Sequence, residues 1–181
     1  MTTVLINTTL GNIIVETDAV HSVATVENFL AYVNKHHYDG TIFHRVIPNF
    51  MIQGGHFDAE MKERPANAPI LNESQNGLKN EKYTLAMART QDPHSATDQF
   101  FINAQDNAFL NAPGQDGTGY GYTVFAKVTE GQDVVDKICQ VKTTRKGQHS
   151  DVPAEPVVIL SMTVIDPVTK APVEDHLPIT Q

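Results

Sequence analysis

Phe43-His-Arg-Val-Ile-Pro-Asn-Phe-Met-Ile-Gln-Gly-Gly55 alternates with a period that suits a strand and not a helix. At two residues per repeat, Phe43, Arg45 and Ile47 fall on one face of an extended segment. Met51 and Gln53 share a face once Pro48-Asn49 has interrupted it. An arginine among large apolar residues admits two readings. One is a core strand pair whose edge arginine snorkels to solvent. The other is an apolar cup with a few fixed hydrogen-bond donors. Further along, Gln99 and Phe101 again put an amide and an aromatic on one face, which favours the cup.

The flanks of this stretch follow the same short rhythm. Val4-Leu5-Ile6 and Ile13-Ile14-Val15 surround Thr8-Thr9-Leu10-Gly11-Asn12, the pattern of a hairpin with a glycine turn. Val26, Phe29, Leu30 and Val33 recur at i, i+3, i+4 and i+7 and predict an amphipathic helix. Ser22 or Thr25 is placed to cap it, His36-His37 lie near its C-terminus, and Asp39-Gly40 ends it. Strands are expected over 83–88, 99–103, 122–128 and 157–164, with a second helix around Val134, Val135, Ile138 and Cys139. The segments between 88 and 122 are rich in Gly, Pro, Asn and Asp and read as long surface loops. Many short strands with two isolated helices point to an all-β barrel or sandwich capped by helices.

Composition sets the outer bounds. The chain has 181 residues, 40% of them hydrophobic and 19% charged, enough apolar surface for one folded core. Thirteen Lys and Arg against 21 Asp and Glu leave a net charge of -8, which speaks against nucleic-acid or anionic-membrane binding, since both need basic patches. The N-terminus lacks a basic start with a long apolar run, and no stretch approaches the roughly 18 apolar residues of a membrane span. A reducing, cytoplasmic setting is therefore expected. The Asn-x-Ser/Thr triplets at Asn7 and Asn72 then read as chance matches. The last stretch, 166–181, carries three prolines and scattered charges and reads as an extended tail beyond a domain of residues 1–165.

Familiar chemical motifs fail one by one. The glycine-rich run from Gly114 to Gly121 lacks the Lys-Ser/Thr ending of a phosphate loop and leads into a strand. Eight histidines include no His-x-x-x-His pair, and adjacent His36 and His37 point different ways, so no metal is expected. Cys139, the single cysteine, sits on an apolar helix face as a small hydrophobe. No Gly-x-Ser-x-Gly elbow offers a nucleophile.

Taken together, FHRVIPNFMIQGG at 43–55, LAMAR at 85–89, QFFI at 99–102, Phe109-Leu110 and the run from Tyr122 to Val128 resemble the cyclophilin peptidyl-prolyl isomerases. TVENFL at 25–30 is similar to that family's first helix, and the likeness runs from about Val4 to Val164. LAMARTQDPHSATDQFFIN is most similar to the bacterial cytoplasmic type. The resemblance implies a mainly β fold: a closed eight-stranded antiparallel barrel capped by two helices, with the active site on its outer surface. Carried over position by position, Arg45 corresponds to the catalytic arginine, and Phe50, Met51, Phe101 and Leu110 to the proline pocket. Gln53, Ala88, Arg89 and Gln99 correspond to contacts with peptide backbone, and Phe109 and Tyr122 to the rim.

The implied activity is peptidyl-prolyl cis-trans isomerisation of proline-containing peptides and folding proteins, by a monomer, without cofactor or metal. Phe109, Tyr122 and Arg89 depart from the commonest eukaryotic pattern of Trp, His and Asn. Cyclosporin binding is expected to be weak, because a chain without tryptophan has no indole N–H to donate to the drug. One other class remains open from sequence, a module that binds proline segments without turning them over. A barrel holding a small molecule in its interior does not fit, because the arginine and glutamines sit in loop-flanked strands that match a surface groove.

Overall fold

The computed structural model describes residues 1–114 and 119–173. Residues 115–118 of the glycine-rich run and 174–181 of the tail lie outside the described residues.

The opening hairpin forms as expected. Strand β1 (Thr3–Thr8) pairs antiparallel with β2 (Gly11–Thr17), and the Thr8 hydroxyl donates to the Gly11 carbonyl at 2.7 Å to hold the turn. Helix α1 (Val23–Asn34) follows, burying Val26, Phe29, Tyr32 and Val33 on one face. Its N-terminus is not capped by the side chain of Ser22, whose hydroxyl donates to the Val124 carbonyl instead. The cap comes from 48 residues away: the Glu73 carboxylate accepts from the Thr25 amide at 2.7 Å and from the Thr25 hydroxyl at 2.6 Å. A carboxylate there also meets the positive end of the helix dipole.

Strands β3 (Arg45–Ile47) and β4 (Met51–Gly54) form the second hairpin. Pro48 brings a fixed φ to its turn, and Asn49 takes the left-handed conformation at φ 61°, which asparagine tolerates better than most residues. Phe43 does not share the Arg45 face, contrary to the period-two expectation. It is fully buried in the barrel, while Arg45 is exposed. The reason is that β3 begins only at Arg45, and residues 40–43 form a separate extended piece bonded to 157–159.

Strands β5 (Thr84–Met87), β6 (Phe100–Asn103), β7 (Val124–Glu130) and β10 (Ile159–Ile165) complete an eight-stranded antiparallel sheet of order β10-β1-β2-β7-β5-β6-β4-β3. The ladder itself ends at β3 and β10. Bonds from Gly40 N to Ile159 O, from Ile159 N to Thr41 O and from Phe43 N to Val157 O carry across that seam, but β3 and β10 share no ladder, so the curled sheet is not the strictly closed barrel expected. Helix α2 (Gln132–Cys139) buries Val134, Val135, Ile138 and Cys139, and burial pushes the Cys139 thiol up to about 11. Gly131 before it is left-handed at φ 91°, and a side chain there would strike the Asn12 carbonyl.

A two-stranded ribbon, β8 (Thr143–Lys146) and β9 (His149–Pro153), was not expected from sequence. Beyond β10 the chain does not simply run on as an extended tail. Residues 166–173 turn back around the Asp166 carboxylate, and Val173 N reaches Val164 O. Among the described residues no helix is long and apolar enough to cross a membrane.

The barrel interior is filled. Phe29, Tyr38, Phe43, Phe100 and Phe125 are fully buried and pack tilted or edge-on, with centroids 5.0 to 6.1 Å apart. These rings pack the described interior, in agreement with setting aside a small-molecule barrel.

Candidate active site

Alternation along β4, β5 and β6 sends every second side chain out of the barrel. Ile52, Leu85, Phe100 and Ile102 enter the interior, whereas Met51, Ala86 and Phe101 form a second apolar cluster on the outside with Leu110 and Val124. Register aligns this outer face. Arg45 pairs with Gln53, Gln53 with Phe101, and Phe101 with Ala86, so the four stand in one row across β3, β4, β6 and β5.

Over this row lies a cavity of about 120 Å³. Arg45, Gln53, Ala88 and Arg89 border it together with Phe50, Met51, Phe101, Leu110 and Tyr122. Nine of the eleven positions singled out from sequence therefore meet in one place. Gln99 adjoins through its side chain, which accepts from Gln53 Nε2 at 2.9 Å. Phe109 stands at the edge, 72% exposed, its ring 5.7 Å from that of Phe50. The cavity is well below the 300–1,000 Å³ typical of drug-sized ligands and suits a single small ring. A larger hollow of about 460 Å³, bordered by Glu16, Asp18, Leu78 and Lys127, has no aromatic, arginine or amide side chain around it.

The two arginines differ. Arg45 is exposed at the sheet edge, and none of the ion pairs among the described residues includes it. Arg89 is held: Nε donates to Gly121 O at 3.1 Å, Nη1 to Thr90 O at 2.9 Å, and its guanidinium carbon lies 4.5 Å from the Tyr122 ring centre. Tyr122 in turn meets Phe101 edge-on at 5.8 Å. Gly121 is fixed from both sides, with N donating to Ser74 Oγ and O also accepting from Asn72 Nδ2. A Cβ there would collide with the Leu110 carbonyl, so only glycine allows Tyr122 to sit against Leu110.

Beside the apolar layer, where Asn103 follows Phe101 on the outward-facing side of β6, lies a group the sequence reading missed, a set of buried asparagines. Asn103 Nδ2 donates to Asn80 Oδ1 at 3.1 Å and to Thr84 Oγ1 at 3.0 Å. Asn107 Nδ2 donates to Asn103 Oδ1 at 2.8 Å and to the Phe50 carbonyl at 2.9 Å. Asn80 Nδ2 reaches the Tyr122 carbonyl at 3.2 Å. These amides tie the turn bearing Phe50, the short 3-10 turn Ala108–Leu110 and the start of β7 to one another. In the sequence they look like ordinary turn formers.

On another side, the Asp98 carboxylate is fully buried, with His37 Nε2 and His56 Nδ1 at 2.8 and 2.7 Å. Burial works to raise its pKa, but the two imidazole hydrogen bonds outweigh that and hold it below the usual carboxylate value. His37 is thus a structural partner, not a surface helix-end histidine. His44, also buried, lies against Phe57 at 4.6 Å with Nδ1 unpartnered, and burial with neighbouring His149, His56 and Arg45 lowers it to about 4.

The family model for "Cyclophilin type peptidyl-prolyl cis-trans isomerase/CLD" matches residues 3–164. A peptidyl-prolyl cis-trans isomerase of Streptomyces antibioticus is 58% identical over 165 residues, 91% of this chain and 99% of its own length. Peptidyl-prolyl cis-trans isomerase B of Escherichia coli is 55% identical over 161 residues, covering 89% and 98%. Among solved structures, a Cryptosporidium parvum cyclophilin type peptidyl-prolyl cis-trans isomerase, crystallised in the presence of the dipeptide Ala-Pro, shares the fold with a TM-score of 0.72 at 23% identity, covering 91% and 99%. Matched along nearly its whole folded length, this chain belongs to the cyclophilin-type peptidyl-prolyl cis-trans isomerases.

Proposed function

We propose that Arg45 stabilises the twisted X-Pro bond while the outer apolar cavity holds the proline ring. The observation that carries this reading is the row Arg45–Gln53–Phe101–Ala86, which sets a guanidinium without an ion-pair partner among the described residues beside a largely apolar cavity of one-ring size. Rotation about the amide breaks no covalent bond, and its barrier of roughly 18–20 kcal/mol comes from resonance. At the twisted state the proline nitrogen regains a lone pair. A guanidinium fork donates to that nitrogen and to the neighbouring carbonyl, an interaction stronger there than in either planar isomer. An arginine guanidinium keeps its proton in proteins, so Arg45 acts through its charge and hydrogen bonds.

Phe50, Met51, Phe101 and Leu110 grip the ring, and Gln53, Ala88, Arg89 and Gln99 hold the backbone on the acyl side, which rotates. The Arg89 guanidinium already serves three backbone carbonyls and the Tyr122 ring, so its hold on peptide falls to its main chain. Phe109 and Tyr122 form the rim. The substrates are proline-containing peptides and folding proteins, in keeping with the Ala-Pro present in the Cryptosporidium parvum crystals. The isomerase domain is assigned to 1–165 with 166–181 as an appendage, acting as a cytoplasmic monomer.

Replacing Arg45 by Ala should lower kcat/KM in an isomer-specific peptide assay by about 10²- to 10³-fold, the usual cost of one transition-state donor. The unfolding midpoint should stay put, since Arg45 is exposed and has no ion-pair partner among the described residues. Near-normal turnover would remove Arg45 from the mechanism. NMR exchange between cis and trans signals separates turnover from mere binding. Phe109→Trp should tighten cyclosporin by about tenfold at most, one hydrogen bond's worth, with peptide turnover little changed. Unaltered drug affinity would displace Phe109 from the rim.

A further inference from the structure

We infer that the site favours proline bonds preceded by an acidic side chain, with Arg89 as the residue that sets this preference. Two arginines, Arg45 and Arg89, border the cavity, and among the described residues no Asp or Glu does; the Arg89 guanidinium lies against the ring of Tyr122, another residue of that border. None of the ion pairs among the described residues involves an arginine. Among the described residues, every partner of Arg89 is neutral: the carbonyls of Gly121, Thr90 and Tyr120 and the ring of Tyr122. Those contacts aim the guanidinium and stiffen it without cancelling its charge.

The chain as a whole argues the other way, because a net charge of -8 draws basic peptides. Distance decides between them. At physiological ionic strength the Debye length is about 8 Å, so charges spread over the surface are damped while those bordering the cavity are not. The inference rests on the proposed placement of the acyl-side segment along Gln53, Ala88 and Gln99. That placement brings the side chain before proline out beside Arg89. In a largely aqueous dielectric, the attraction of a carboxylate and repulsion of an ammonium at such range correspond to about three- to tenfold in kcat/KM between Glu and Lys.

The test uses tetrapeptides identical except for Glu, Gln or Lys before proline, assayed with wild type, Arg89→Gln and Arg89→Lys. The expected order for wild type at low salt is Glu, then Gln, then Lys, with about three- to tenfold between the ends. Near 1 M salt, where the Debye length is about 3 Å, the spread should collapse. Arg89→Gln should narrow the spread, whereas Arg89→Lys, which keeps the charge but not the fork, should preserve it. A wild type indifferent to the three peptides overturns the inference. So does an unchanged spread in Arg89→Gln, or an Arg89→Lys variant that behaves like Arg89→Gln. Arg45→Ala run on the same peptides separates the two levels. Loss of turnover on all three with a flat wild-type preference sinks the specificity alone, and retained turnover sinks the site reading beneath it.

Discussion

The two faces of the β4–β6–β5 sheet are built by different means. The inner face packs Ile52, Leu85, Phe100 and Ile102 against Phe29 and Phe125 with essentially no exposed surface. The outer face has a thin apolar layer of Met51, Ala86 and Phe101, flanked by the hydrogen-bonded amides of Asn80, Asn103 and Asn107. Apolar packing is non-directional and fills whatever space it is given, which suits a core and would close a cavity. Hydrogen bonds between fixed amides set walls at a distance and keep them there. The outer cavity is therefore flanked by amides, and the interior that must stay shut is lined with rings.

Truncating the interior should give the largest change in stability. Phe29→Ala should cost about 3–5 kcal/mol in denaturant unfolding, while the folded fraction turns peptide over at the wild-type rate. A second contrast lies between the histidines, since His37 and His56 share the Asp98 carboxylate whereas His44 has no partner for Nδ1. With its pKa lowered from 6.5 to about 4, His44 is held neutral in the fold. The unfolded chain takes up that proton more readily, so the stabilisation is fully present above pH 6.5 and is lost as pH falls towards 4. The loss is of order 3 kcal/mol, and His44→Phe should flatten it in pH-dependent unfolding. Asp98 acts in the same direction at lower pH.

The smallest stability effect should come from the amides, with the opposite signature. Asn103→Ala leaves partners on Asn80 and Asn107 unmet, costing about 1–3 kcal/mol. It should also lower kcat/KM well beyond Phe29→Ala, because Asn107, which donates to the Phe50 carbonyl and accepts from the Leu110 amide, loses its own support. Equal kinetic losses in the two variants would break the contrast between the faces.

The strands that build both faces were legible because period two is a local pattern, and so was α1 with its 3.6-residue stripe. The site residues came from long ordered motifs and fall together around one cavity. What escaped depends on partners far along the chain. Glu73 caps α1 from 48 residues away, and no local spacing announces it. Asn80, Asn103 and Asn107 look like turn residues and become buried only when the loops close over them. Phe43 misled because two extended pieces meet at His44, where the alternation breaks. The β8–β9 ribbon is short, polar and largely exposed, so its apolar pattern is weak, although Gly147 marks its turn.

A filled barrel with its proposed site outside has a bearing on what can approach it. Nothing needs to be threaded, and neither end of the incoming chain has to be found. A proline in the middle of a long polypeptide can be laid on sideways, turned, and lifted off again, with the rest of that polypeptide hanging free in solvent on either side.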